Sequence, residues 1–157
     1  MIVAIDPGIN GAAAALSLQS GFRAVIDLPT IGEGKRREIH MRKLYDWLCT
    51  YAPTRIVIEH VHSMPKQGLS STFRFGMAYG MIRAVSQMIT HDVELVTAQV
   101  WEEYFDLIGK HEYAALHMAR QLFSEHAELL ERQKDHNRAD AMLIGWWAIR
   151  PPVGRNW

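Results

Sequence analysis

The apolar positions of this chain fall into short continuous runs near the N-terminus and into helical stripes further along. Ile2 to Ile5 reads as a short buried strand and Ala12 to Leu18 as a second, with a glycine-bearing turn (Pro7, Gly8, Gly11) between them. Phe22 to Leu28 alternates loosely and makes a third strand after Ser20-Gly21. Tight connections between the three predict an antiparallel meander. Pro29 through Gly34 is loop, and the basic Lys35-Arg36-Arg37 leads into a helix on which Met41, Leu44, Leu48 and Tyr51 form an amphipathic stripe. Pro53 stops that helix, and Arg55 to Glu59 (RIVIE) is a central-type strand. His62 to Gly68 is a polar loop, followed by a long helix from about Leu69 to Ile89 and a short strand from Val93 to Val96. Ala98 to Leu107 and Glu112 to Leu122 read as helices around Gly109-Lys110. Ala139 to Ile149 is the last helix, before a helix-ending PPVGRNW tail. The order βββ-α-β-α-β-α-α-α is an α/β pattern: one domain over residues 1–157, with a five-stranded mixed sheet and helices on its faces.

Composition narrows the class. At 157 residues and 48% hydrophobic, with five Trp, the chain has enough material for one core and is not a disordered segment. The single cysteine, Cys49, excludes an intramolecular disulfide framework and a cysteine-built zinc site, and suits a reducing cytosol. The chain opens directly into MIVAID with no basic leader, and no apolar run reaches the roughly 18 residues of a membrane span. A cytoplasmic location is therefore expected, whether in a host cell's cytoplasm or at a bacterial nucleoid.

Formal net charge is zero, which at face value speaks against nucleic-acid binding. The neutrality is a cancellation between segments. Residues 20–90 carry ten Lys/Arg against five Asp/Glu, and residues 91–131 carry two against nine. One basic face is compatible with that distribution, the acidic stretch then being a solvated helical face.

Three carboxylates stand at element ends. Asp6 closes an apolar strand and is followed by Pro7-Gly8, which places it at the carboxyl edge of the sheet, where ligand and catalytic groups collect in open α/β sheets. The ordinary alternative is a turn-initiating aspartate. Glu59 repeats the geometry at the end of RIVIE; a glutamate there is costly to bury without a partner, or is simply an exposed strand end. Asp140 lies in KDHNRADAMLIGWWA, with His136 and Asn137 four and three residues before it on one helical face. Asp135 and Asn137 also suit an N-terminal cap.

Together the three acids form an all-oxygen set that suits Mg²⁺ or Mn²⁺ rather than zinc. Two such ions could activate a water and stabilise the leaving oxygen in phosphodiester hydrolysis. No HExxH or GxSxG is present, and His60 and His62, an HxH pair after a strand, read as surface or DNA-facing groups.

The segments IDPGINGAAAAL, IEHVH with its downstream helix, and HNRADAMLIG resemble, in order and spacing, the three signature segments of RuvC-type Holliday-junction resolvases. The resemblance spans essentially the whole chain, and variants of this kind are common among bacteriophages. It implies an RNase H-like fold, a homodimer, and divalent-metal-dependent cutting of two symmetric strands of a four-way DNA junction. By position, Asp6 would be the first-strand ligand bridging two Mg²⁺ ions (Mn²⁺ as a substitute), Glu59 the fourth-strand acid and Asp140 the last-helix acid. The fourth group would be His136, with Asn137 and Asp135 as alternatives.

Two positions depart from the family. Where the bacterial enzymes often place an aromatic three residues after the glutamate, this chain has His62; where a lysine often follows the QV of the VTAQV-like segment, it has Trp101. Lys110 could supply a basic group nearby.

DNA contact is expected from Lys66, Gln67, Ser70, Ser71 and Arg74 at a helix start, where hydroxyls, cations and backbone N–H groups suit phosphate. Lys35, Arg36, Arg37, Arg42 and Lys43 form a second basic patch. Phe73, Met77, Met81, Val85 and Met88 make one helical stripe, for which core packing is the default. The resemblance raises a dimer contact through Phe73, Gly76, Met77 and Gly80. Three other readings stand beside the nuclease: a non-catalytic branched-DNA-binding protein, an RNase H-type enzyme acting on RNA–DNA hybrids, and a phosphate-loop ATPase domain. The last needs two lobes and more length than this chain has.

Overall fold

The first strand, β1 (Ile2–Asp6), is buried along its whole length because both of its faces are covered. Ile2 and Ala4 enter one apolar cluster and Val3 and Ile5 a second on the other side, so the run reads as continuous rather than alternating. The computed structural model describes residues 1–62 and 68–150, with Lys35 through its backbone only.

β1 pairs antiparallel with β2 (Ala12–Ser17), which pairs antiparallel with β3 (Gly21–Asp27), giving the expected meander. On its other edge β1 runs parallel to β6 (Arg55–Glu59), and β6 parallel to β7 (Val93–Val96), for a sheet order β3-β2-β1-β6-β7. Helices α1 (Met41–Tyr51) and α2 (Leu69–Ile89) supply the cluster on one face. On the other, α3 (Ala98–Tyr104), α4 (Ala114–Leu122) and α5 (His136–Ile149) supply the larger cluster.

The expected loop and helix lead-in before α1 is instead a small hairpin, β4 (Thr30–Ile31) against β5 (Glu38–Ile39). Gly32 and Gly34 take positive φ (86° and 51°), and a 3-10 turn at 34–36 reverses the chain between the strands. The last helix begins at His136 rather than Ala139, running on from a 3-10 turn at 133–135. α3 ends at Tyr104, short of the expected Leu107, and Asp106 adopts φ 55° just beyond it. α4 starts at Ala114.

The stripe assigned to the core on α2 is also corrected. Of Phe73, Met77, Met81, Val85 and Met88 only Val85 is buried, whereas Phe73 and Met88 are 70% and 71% exposed. The face that meets the sheet is Ala78, Ile82 and Val85, rotated from the one the large side chains suggest. Gly76 and Gly80 stand over open space.

Candidate active site

Strand periodicity puts two acids on one face of the sheet. In β1, Asp6 shares its face with Ala4 and Ile2; in β6, Glu59 shares its face with Val57. Ala4 and Val57 both pack into the cluster that α5 covers, and the parallel register pairs Ile5 with Ile58, leaving Asp6 and Glu59 side by side at the carboxyl ends of adjacent strands. Asp140 comes down from α5 onto the same spot. Gly145, further along α5, lets the helix lie close to the sheet toward the other end of β1: a Cβ at that position would meet Leu16 Cδ1 at 2.1 Å.

The carboxyl groups are crowded. The pKa of Asp6 is raised well above the usual range by burial first, then by the charges of Asp140 and Glu59, with hydrogen bonding between the Asp6 and Glu59 carboxyls adding to it. Burial also pushes Asp140 up to about 8, helped by Glu59 and Glu102. Glu59 is raised mainly by burial, against hydrogen bonds from the Trp101 indole and from Asp6 that favour its charged form. The Trp101 Nε1–H donates to Glu59 Oε1 at 3.2 Å.

His136 Nδ1 lies 4.0 Å from Asp140 Oδ2, one helical turn back on α5. Asp135 does not join them. Only 3% exposed, it is held by Arg132, whose backbone N–H (2.8 Å) and guanidinium (2.7 Å to Oδ1) both donate to it. Burial alone would raise its pKa, but these bonds hold it below the usual carboxylate range. Of the alternatives for the fourth position, Asp135 is therefore a structural cap, and His136 faces the acids.

Among the described residues no three ligating side chains close round a single point as a finished metal site. What is present is an adjacent pair of carboxyls with a third within electrostatic range, all hard oxygen donors. A divalent cation of the Mg²⁺ class fits that set, because its charge relieves the mutual repulsion of the three acids.

The basic residues divide. Arg36, Arg37 and Arg74 line a cavity of about 450 Å³ with Phe73 and Met77, between the β4–β5 hairpin and α2. Arg37 and His136 also line a second, polar cavity of about 370 Å³. Ser70 and Ser71 are exposed in the first turn of α2, and His62 is exposed just past β6. Lys110 is engaged by Asp106 at 2.7 Å and Arg42 by Asp46 at 2.9 Å. Lys66, Gln67 and the side chain of Lys35 lie outside the described residues.

Two contacts escaped the sequence reading: the bond from Trp101 to Glu59, hidden by the indole's place on an apolar helical face, and that of Arg138. Arg138 forms a two-pronged ion pair with Asp27 (2.5 and 2.8 Å) that ties the start of α5 to the end of β3.

No protein-family model and no curated protein matches the sequence. Solved structures do resemble the fold. RuvC of Thermus thermophilus in complex with a Holliday junction substrate aligns with a TM-score of 0.61 and 14% identity, over 92% of this chain and 89% of that one. A second Thermus thermophilus RuvC structure aligns with a TM-score of 0.55 and 14% identity, over 92% and 90%. The five-stranded mixed sheet flanked by helices is thus the RNase H-like fold of those proteins.

Proposed function

We propose that this chain is a Mg²⁺-dependent, structure-selective endodeoxyribonuclease that resolves four-way and other branched DNA, acting as a homodimer that nicks two symmetric strands. The observation carrying this reading is the convergence of Asp6, Glu59 and Asp140 at the ends of β1, β6 and the first turns of α5, crowded enough that Asp6 and Asp140 titrate well above ordinary carboxylates. The likeness in fold to a RuvC bound to a Holliday junction supports the choice of DNA substrate.

Two Mg²⁺ ions, when bound, would supply an activated water and charge stabilisation at the leaving oxygen. Asp6, Glu59 and Asp140 are the residues that would hold them. His136, beside Asp140 and half exposed, is placed to accept or return a proton. Trp101 holds Glu59 in position. Arg36, Arg37, Arg74, His62 and the hydroxyls of Ser70 and Ser71 would meet the DNA backbone, and Lys35, Lys66 and Gln67 are proposed as DNA contacts from the sequence alone. The apolar α2 face bearing Leu69 (91% exposed) and Phe73, next to bare Gly76 and Gly80, supports pairing of two copies through this helix. Among the described residues no helix is long and apolar enough to cross a membrane.

The test compares a synthetic four-way junction, a linear duplex and an RNA–DNA hybrid in Mg²⁺ at matched salt. The junction is expected to be cut symmetrically, and the Asp6→Asn protein to bind it without cutting. Equal cleavage of all three substrates would point instead to a general or hybrid-directed nuclease. Binding with no nicking under Mg²⁺ or Mn²⁺ would point to a non-catalytic junction binder.

A further inference from the structure

The polar cavity beside the acid cluster has an unusual charge balance. Its lining includes Asn10, Asp27, Arg37, Lys134, His136 and Asn137. Asp135 also lines it; Asp27 is taken up by Arg138 and Asp135 by Arg132, so each of the two lining acids already has a cation of its own. Arg37, in contrast, is held entirely by neutral acceptors: Nε donates to Thr30 Oγ1 (3.4 Å), one terminal nitrogen to Asn10 Oδ1 (3.2 Å) and the other to the Ile9 carbonyl (3.1 Å). Among the described residues no carboxylate pairs with Arg37 or with Lys134.

A guanidinium has five N–H groups. Three are spent on fixing its position, and one remains on each terminal nitrogen. Donors left on a guanidinium whose position is already fixed can meet phosphate oxygen, and fixing it beforehand removes the entropy cost of ordering a long side chain. Two of the fixing points are Ile9 and Asn10, in the turn that leaves Asp6, so the guanidinium is tied to the first acid of the cluster. His136 joins the two sites from the other side, forming part of the cavity wall while lying 4.0 Å from Asp140.

We propose that Arg37 and Lys134 form a phosphate subsite that takes a backbone phosphate flanking the scissile one on the strand being cut. This rests on the nuclease reading above and adds to it a place and a role: the subsite anchors the strand so that the next phosphate falls at Asp6, Glu59 and Asp140. Arg37 supplies a pre-positioned guanidinium, and Lys134 a second cation in the same cavity.

The experiment measures binding of a synthetic four-way junction to the full chain carrying Asp6→Asn, without divalent ions, by fluorescence anisotropy over a salt series. Lys134→Gln removes no hydrogen bond present in the structure and should lower the log–log salt slope by about 0.9, the value for one phosphate contact. Arg37→Gln should do likewise, and Arg37→Lys should restore most of the slope, which a purely structural role of Arg37 in the hairpin would not produce. Junctions with an uncharged methylphosphonate at each linkage flanking the cut complete a cycle. At one linkage, neutralising the phosphate should weaken binding by about tenfold in the parent and have no further effect in the Arg37→Gln, Lys134→Gln double variant. Losses that multiply at every linkage, or an unchanged salt slope, would overturn the subsite while leaving junction cleavage by the unmutated chain intact. Failure of the unmutated chain to bind or cut any junction would remove the nuclease reading and the subsite with it.

Discussion

The indole N–H of Trp101 donates to Oε1 of Glu59 across 3.2 Å, from a side chain only 2% exposed. A neutral donor thus serves the acid at the end of β6, at the position where the resolvase resemblance leads one to expect a lysine. A lysine could reach a substrate oxygen; a buried indole cannot, and its role is to hold one carboxylate oxygen so that the other faces the site. Trp101→Phe keeps the aromatic bulk and deletes the donor. It should cost about 1–3 kcal/mol of stability, the penalty for leaving a buried polar group unpaired. Since the indole bond favours the charged form of Glu59, its loss raises the Glu59 pKa further. The acidic limb of the pH–rate profile should therefore move to higher pH and half-maximal activity should need more Mg²⁺, both read from junction cleavage. An unchanged profile with a lowered Tm would reduce Trp101 to packing.

Stability of the metal-free protein should fall as pH rises from about 4 to about 8. In the unfolded chain Asp140 sheds its proton near the ordinary 3.8, but in the folded chain it keeps the proton up to about 8, and Asp6 is shifted in the same direction. Between those values the folded state binds more protons, so Asp140 removes up to about 1.4 kcal/mol per pH unit across the window and nothing further above it, and Asp6 acts with the same sign. Asp140→Asn should match the parent near pH 4 and exceed it in Tm at pH 8. Mg²⁺ added at pH 8 should raise the Tm of the parent more than that of the variant. A parent Tm that climbs between pH 4 and 8 would contradict the crowding of the acids.

Asp135 and His136 are neighbours with opposite roles. Asp135→Asn breaks the paired bonds from Arg132 at the entrance to α5 and should lower stability by about 1–3 kcal/mol. Because Arg132 holds the Asp135 pKa below the usual range, that stabilisation is present above the ordinary carboxylate value and is lost as pH falls through the depressed one. The two proteins should therefore converge in Tm at strongly acidic pH. His136→Asn, at a half-exposed position, should leave Tm within about 0.5 kcal/mol equivalent and slow junction cleavage. The reverse pattern would exchange their assignments.

The three-strand meander and the standing of Asp6 and Glu59 at strand ends were legible because the pattern is local. A buried two-sided strand leaves a continuous apolar run, and a carboxylate at its end breaks that run where the sheet stops, as at Asp6 and Glu59. What could not be read depended on which partner an ambiguous residue meets. Asp135, Asn137 and His136 fit the same spacing until Arg132 claims the first. On α2 the large side chains pointed to a core face, but small Ala78 lets the helix pack on its Ala78–Ile82–Val85 side and leaves Phe73 outside. The β4–β5 hairpin was hidden because each strand is two residues long and turns on glycines rather than on a periodic pattern. Trp101 was hidden because a buried tryptophan on a helix reads as packing, whatever its N–H finds.

Gly11 fixes where Asp6 stands. The turn from β1 to β2 folds so tightly that a Cβ on Gly11 would lie 2.2 Å from the Asp6 carbonyl oxygen and 3.0 Å from the Gly8 nitrogen. Both are backbone atoms, so no side-chain rotation relieves the clash, and the strand end or the turn itself must move. The same turn carries Ile9 and Asn10, which hold Arg37. Gly11→Ala should therefore cost about 1–3 kcal/mol, as overpacking does in well-packed interiors. It should also slow cleavage by more than its loss of stability explains, since the acid and the guanidinium lose their common reference. The comparison that separates the two effects is Gly145→Ala on α5. There the added Cβ meets chiefly the flexible end of Leu16, at 2.1 Å, away from the turn. If the two variants, measured at temperatures where both are fully folded, lose activity in proportion to their loss of stability alone, the tight turn is a packing feature with no special hold on Asp6. A larger loss for Gly11→Ala at equal stability places the positioning of the first acid in that single backbone contact.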